Sequence, residues 1–171
     1  MTSQPTRGVY IVANEKVRDN AIALLASLRR HDPDVPVYLI PFDDRYQPLL
    51  QTLQTLYQVE LFPDLTFLET FTQKISDIFP RDFLALPNKM RKLAAWFGPL
   101  DEFLYIDTDI LFFEPVSHTL AYLERADFIC CDYHFKGRKL RDVFSPSVIE
   151  RGLFPADVVN SVFISGLWGA K

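Results

Sequence analysis

The chain has 171 residues, 49% of them hydrophobic and 23% charged, which suits a single soluble domain with one substantial core. Its formal net charge of −4 provides no electrostatic footprint for nucleic acid. No stretch approaches the length of a membrane span, and the apolar run Val9 to Ala13 is too short for a secretion signal.

Val9 to Val12 predicts a short buried strand. Val17, Ala21, Leu24, Leu25 and Leu28 follow at the spacing of one helix face. Arg29, Arg30 and His31 fall in the last turn of that helix, and Pro33 stops it. Pro36 opens a second strand, Val37 to Ile40, so the opening reads as a βαβ unit with a right-handed crossover. Tyr46 to Gln58 predicts a helix with Leu49, Leu50, Leu53 and Leu56 as its apolar face. Val59 to Phe62 predicts a third strand, and Leu65 to Phe79 a helix ending before Pro80.

Asn88 to Phe97 predicts a helix bounded by Pro87 and by Gly98-Pro99. Lys89, Lys92 and Trp96 share one face of it, with Met90, Leu93, Ala94 and Phe97 on an opposite, buried face. Phe103 to Ile106 is a continuous apolar run, the mark of a central strand covered on both sides. Ile110 to Phe113 is a second apolar run. Thr119 to Arg125 predicts a short helix, Phe128 to Cys131 a buried strand, Tyr133 to Arg151 a basic loop, and Asn160 to Ile164 a last strand. The two cysteines, Cys130 and Cys131, are adjacent. They exclude a disulfide framework, read as core residues, and with the missing signal segment fit a reducing cytoplasm. The apolar stop from Val162 to Lys171 reads as a chain ending inside a larger domain.

This alternation predicts an α/β fold, a mostly parallel sheet with helices on both faces, as one domain over 1–171. Ligands of such sheets bind beyond the carboxyl ends of the strands. The polar residues there are Ala13-Asn14, Asp43 and Asp44, Asp107 and Asp109, and Asp132. Carboxylates gathered at one edge repel each other unless a cation sits among them. Oxygen ligands suit Mg²⁺ or Mn²⁺ bound together with substrate phosphates. The spacing of Asp107 and Asp109 puts both carboxylates on one side of an extended strand, facing the same crevice. Held between two apolar runs, two such charges are costly without a partner. A lysine face on the preceding helix would meet an anionic ligand.

Lys92-Leu93-Ala94-Ala95-Trp96, a short loop, and Phe103-Leu104-Tyr105-Ile106-Asp107-Thr108-Asp109 together resemble the core of the GT-A nucleotide-diphosphosugar transferases, closest to the glycogenin-like enzymes of family 8. The opening strand with Ala13-Asn14, the helix bearing Leu24 to Arg29 and the strand led by Pro36 are similar too, and Asn160-Ser161 resembles the turn that touches the donor sugar. The resemblance implies a transferase using a nucleotide-diphosphosugar, a UDP-sugar by preference, and an acceptor it does not specify. It implies Mn²⁺ or Mg²⁺ on Asp107 and Asp109, with Asp107 also touching the ribose or sugar. Ala13 and Asn14 would line the nucleotide pocket, and Asp43 or Asp44 would lie near the base. Lys92 would face the diphosphate or sugar, Lys89 would share its face, and Asp132, Asn160 and Ser161 would meet the sugar hydroxyls. Two departures stand out. Val162 replaces the glycine expected after Asn160-Ser161, and neither His118 nor His134 sits where the family's further metal-binding histidine would come from.

Metal and diphosphate would be served by Lewis-acid stabilisation of the departing charge. Lys92, with Lys136, Arg138, Lys139 or Arg141 of the basic loop, would add to it, and the loop would close over the donor. Three other readings stay open. One is a haloacid-dehalogenase-type phosphatase with Asp107 as nucleophile, whose motif wants Thr or Val where Leu111 stands. Another is a transferase-like domain that binds nucleotide sugar or a partner without turnover. A nucleotidyltransferase would want a glycine-rich loop where Ala13-Asn14-Glu15-Lys16 stands.

Overall fold

The structure, a computed structural model, describes residues 5–79, 86–131, 150–152 and 166–171. The chain runs β1 (Arg7–Ala13), a 3-10 turn (Glu15–Val17), α1 (Arg18–His31), β2 (Val37–Pro41), α2 (Gln47–Tyr57), β3 (Glu60–Leu61) and α3 (Leu65–Ile78). A 3-10 helix (Pro87–Phe97), β4 (Glu102–Ile106), α4 (Val116–Leu120), a second 3-10 turn (Ala121–Glu124), β5 (Phe128–Cys130) and β6 (Leu167–Ala170) follow. The described strands form one sheet in the order β3-β2-β1-β4-β6-β5. The first four are parallel, with Val9 facing Val37 on one side and Leu104 on the other. β6 runs antiparallel between β4 and β5, pairing Trp168 with both Tyr105 and Cys130. The mostly parallel α/β sheet expected from the sequence is therefore present.

Alternation along β1 builds two cores. Val9 and Ile11 pack on one face against Ala21, Leu24, Leu25 and Leu28 of α1 and Leu49 and Leu53 of α2. Tyr10 packs on the other against Ile40, Phe62, Leu68, Ala94, Phe103, Tyr105 and Trp168. Each leucine of α1 taken fully out of water contributes about 2 kcal/mol. The α1 face is the one its spacing predicts.

Other expectations are corrected. Leu56 is 59% exposed and lies off the buried stripe of α2, which is carried by Leu49 and Leu53. Phe97 is 64% exposed, and the buried residues of its helix are Arg91, Ala94 and Ala95. A 3-10 helix has three residues per turn, which brings Arg91 onto the side of Ala94, while Phe97, in the last turn, rests on Phe67 and Phe71 of α3 and leaves the rest of its ring in water. Leu111 and Phe113, the second apolar run, are exposed, because the chain turns away from the sheet at Asp107 to Ile110. The helix expected over Thr119 to Arg125 begins earlier, at Val116, and tightens to 3-10 from Ala121. Phe128 to Cys131 is not a buried strand: β5 forms one edge of the described sheet, and Phe128, Cys130 and Cys131 are exposed. The strand expected at Asn160 to Ile164 and most of the basic loop lie outside the described residues. β6 was not expected. Among the described residues no helix is long and apolar enough to cross a membrane.

Candidate functional site

Because β1 and β4 are parallel neighbours, their carboxyl ends open on the same edge. A cavity of about 630 Å³ lies there, a volume suited to a small-molecule ligand. Ala13 and Asn14 line it from the end of β1, Lys16 and Val17 from the turn that follows, and Phe42 from the end of β2. Leu86, Lys89 and Lys92 come from the 3-10 helix segment, and Tyr105, Asp107 and Thr108 from β4 and its turn. Five of the expected residues thus meet in one place: Ala13, Asn14, Lys89, Lys92 and Asp107.

The wall on the β1–β2 side is held by hydrogen bonds. Asn14, 4% exposed, caps the 3-10 turn by accepting from Lys16 N (3.0 Å) and donates Nδ2 to Asp43 Oδ2 (2.7 Å). Phe42 N donates to Ala13 O (2.9 Å), and Asn88 Nδ2 donates to Phe42 O (2.8 Å). Arg91, buried behind the cavity, donates to Pro41 O and to Thr72 Oγ1, both at 2.8 Å, tying β2 to α3 through the 3-10 helix. Asn14→Ala should therefore cost about 1–3 kcal/mol, since it removes a cap and leaves buried polar groups unmatched. A urea melt reads this, and an unchanged midpoint would assign the loop's rigidity elsewhere.

Asp43 and Asp44 do not line the cavity. Partial burial pushes the Asp43 carboxyl up, but hydrogen bonds from the Arg45 side chain and backbone and from Asn14 outweigh this and hold it below the usual range. A carboxyl with a depressed folded pKa contributes stability above its unfolded pKa, near 3.8, and loses it as pH falls through the folded value. Asp43→Asn should therefore flatten the acid limb of the stability curve below the ordinary carboxylate range, as followed by thermal melts against pH. Asp44 is exposed and borders a neighbouring cavity with Glu15, Lys16, Arg45, Gln47 and Pro48.

Asp107 and Asp109 part company. β4 ends at Ile106, and the backbone turns, with Ile110 N donating to Asp107 O at 3.3 Å. The alternation of an extended strand therefore stops before Asp109. Asp107 is half-buried and lines the cavity, while Asp109 is exposed and stands outside the lining. They remain electrostatic neighbours. Burial pushes Asp107 above the usual carboxylate range, a hydrogen bond from Tyr105 and the charge of Lys92 pull it back, and Asp109 raises it further, for a net upward shift.

Sequence reasoning missed Tyr105, whose hydroxyl donates to Asp107 Oδ1 at 2.5 Å. The available signal was its position in β4, two residues before Asp107. Lys92 Nζ lies over the Tyr105 ring, 5.8 Å from its centroid, within range of a cation–π contact. Burial lowers the Lys92 pKa, against the pull of Asp107 and with the push of Lys89. Lys16 and Phe42 were also missed; Lys16 follows Asn14 by two residues, at the start of a turn. Asp132, Asn160 and Ser161 lie outside the described residues. Among the described residues no group of three or more His, Cys, Asp and Glu is placed to hold a metal.

The cavity's charge is opposite in sign to that of the chain. Among the described lining residues, Lys16, Lys89 and Lys92 against Asp107 give three positive charges less one negative, a formal +2, in a chain of net −4. Lysines of this kind favour an anionic ligand.

No family model and no curated protein sequence matches the chain. Solved structures do. A galactosyltransferase, LgtC, crystallised with donor and acceptor sugar analogues, matches over 95% of this chain with a TM-score of 0.62 at 12% identity. Mouse xyloside xylosyltransferase 1 matches over 96% with a TM-score of 0.61 at 12% identity. The bifunctional glycosyltransferase WbbM matches over 99% with a TM-score of 0.64 at 16% identity. The chain spans 57% of the first of these, 66% of the second and 32% of the third. At these identities the likeness establishes the fold, which is the GT-A fold of glycosyltransferases.

Proposed function

We propose that the protein moves a sugar from a nucleotide-diphosphosugar, a UDP-sugar by preference, to an acceptor, with Mn²⁺ or Mg²⁺ held at Asp107 and Asp109. The observation that carries this reading is the cavity itself. Three lysines and one carboxylate line the ligand edge of a GT-A sheet, which is the charge pattern for a diphosphate carrying a cation.

What supports a hard divalent ion is the Asp107 carboxylate in the cavity with the carboxylate of Asp109 on the turn that follows. Asp107 is raised in pKa by burial and by Asp109, and a cation held by these residues would offset the repulsion of their charges. Oxygen ligands and substrate phosphates suit Mn²⁺ and Mg²⁺. When bound, such an ion supplies Lewis-acid stabilisation of the departing diphosphate. The chain's own residues do the rest. Lys92 and Lys89 meet phosphate oxygens and stabilise the charge that builds on them as the sugar leaves. Phe42 and Val17 give the nucleoside an apolar wall. Asp132, Asn160 and Ser161 are proposed for the donor-sugar hydroxyls.

Lys92→Met keeps an unbranched side chain of similar length and removes the charge that lies over the Tyr105 ring. It should weaken UDP binding in the presence of Mn²⁺ about 10- to 100-fold, measured by calorimetry; unchanged affinity would remove Lys92 from the diphosphate site. Turnover is tested by release of UDP from UDP-sugars in Mn²⁺ against EDTA. Metal-dependent release supports the transferase. Tight UDP binding with no release would instead support the second reading, donor binding without turnover. That reading is favoured by Asp107 being the one carboxylate lining the cavity among the described residues.

A further inference from the structure

We propose that Tyr105 is the positioning residue for Asp107. It holds one carboxylate oxygen by its hydroxyl, so that the other is presented to a divalent cation and the diphosphate it carries. The inference rests on the metal-assisted reading above and adds a residue to it.

The case begins with how little Tyr105 can move. It is 3% exposed in β4, paired with Tyr10 of β1 on one side and with Trp168 of β6 on the other. Its ring stacks on Trp168, with centroids 5.5 Å apart and planes 29° from parallel. Trp168 is itself 2% exposed and packed on Phe103, 5.6 Å between centroids. A buried ring packed in such a stack has little room to reorient, which holds its hydroxyl in place.

That location is beside Asp107 Oδ1, at 2.5 Å. The backbone of Asp107 is fixed independently, because Asp107 N donates to Gly166 O at 2.7 Å. The residue is therefore held at both ends, main chain and carboxylate. Asp107 Oδ2 takes part in no hydrogen bond among the described residues, and Asp107 lines the cavity. A ligand group locked in this way loses little freedom when an ion arrives, and groups that hold a ligand in place are typically worth 10- to 100-fold in metal affinity. Asp109, on the exposed turn, has no such support among the described residues, which makes Asp107 the fixed half of the pair.

The test uses Mn²⁺ with UDP as probe and reads bound ion by the loss of the free-ion paramagnetic signal. Tyr105→Phe keeps the ring in its stack and removes only the hydroxyl. Tyr10→Phe is the control: it too removes a buried hydroxyl from the same face of the sheet, one that accepts from Leu100 N at 3.1 Å, away from Asp107. Expected are Mn²⁺ affinity lowered 10- to 100-fold in Tyr105→Phe and unchanged within twofold in Tyr10→Phe. Wild-type affinity in Tyr105→Phe, or an equal loss in both variants, overturns the proposal while leaving the metal reading standing. If the unsubstituted protein binds no Mn²⁺ with UDP, both fall. A crystal structure of the unsubstituted protein with Mn²⁺ and UDP gives a check that needs no variant. Oδ2 of Asp107 on the ion with Tyr105 still on Oδ1 supports the proposal, and Tyr105 displaced from Asp107 contradicts it.

Discussion

Asp107→Asn is expected to lower Mn²⁺-dependent donor turnover by about 10²- to 10³-fold, the scale of losing one preorganised charge-stabilising group, while the protein keeps its fold. The amide has nearly the carboxylate's shape and still offers Oδ1 to the Tyr105 hydroxyl. What it loses is the charge. In the unliganded protein that charge is a burden, since burial and Asp109 both raise the Asp107 pKa. A carboxyl with a raised folded pKa destabilises the fold above that value, and the penalty fades as pH falls through the folded pKa toward the unfolded one near 3.8. The variant should therefore melt at the same temperature as wild type or a few degrees higher at neutral pH, and the gain should vanish in acid. Lys92 loses the favourable charge of Asp107 in the exchange, but burial of Asp107 itself is the larger effect. Lost turnover with retained or raised stability is the signature of a functional carboxylate. Retained turnover, or a collapse of the fold, would show that Asp107 has been given the wrong role.

Gly169→Ala should cost about 3 kcal/mol, at the upper end for overpacking a core, and lower the melting temperature by roughly 6–12 °C for a chain of this length. A Cβ at this position would stand 2.5 Å from Leu104 Cδ2, 2.6 Å from the Phe103 carbonyl oxygen and 3.2 Å from Ile129 Cγ1. The leucine methyl can rotate aside. The carbonyl cannot, because it belongs to the backbone of β4, so β6 must move. β6 also places Trp168 against Tyr105, and Gly166 just before it accepts from Asp107 N. Nucleotide binding should consequently suffer at temperatures where the variant is still folded. A thermal melt within a degree of wild type would mean that β6 is not seated between β4 and β5 in solution.

The parts of the molecule legible from sequence are those governed by one-dimensional pattern. The apolar spacing from Ala21 to Leu28 and the run Phe103 to Ile106 each specify an element and its burial, because a covered helix face or central strand leaves little choice of residue. The residues at the carboxyl edge of the sheet were legible too, since Ala13-Asn14 and Asp107 follow directly from where strands β1 and β4 end. What pattern did not reveal depends on local winding and on long-range pairing. The 3-10 coil of Pro87–Phe97 aligns Arg91 with Ala94 and so buries it, and Phe97 packs on α3 at the helix end with most of its ring exposed, though Lys89 and Lys92 still reach the cavity. Asp109 falls outside the cavity lining because one turn intervenes. β6 pairs with β4 across more than 60 residues of sequence, and nothing local in Leu167 to Ala170 announces that partner. The Tyr105–Asp107 hydrogen bond hid in plain spacing: Tyr105 reads as core because it is core, and its hydroxyl is the part that reaches the site.

The most direct test is a thermal-shift series on the purified protein with UDP- and GDP-sugars, each with Mn²⁺ and with EDTA. Stabilisation by a nucleotide-sugar with Mn²⁺ at 100 times its Kd corresponds to about 2.7 kcal/mol, a rise of several degrees for a chain of this size. The account predicts that rise for a UDP-sugar with Mn²⁺, its loss in EDTA and its loss in Asp107→Asn. No shift with any nucleotide under either condition would contradict it.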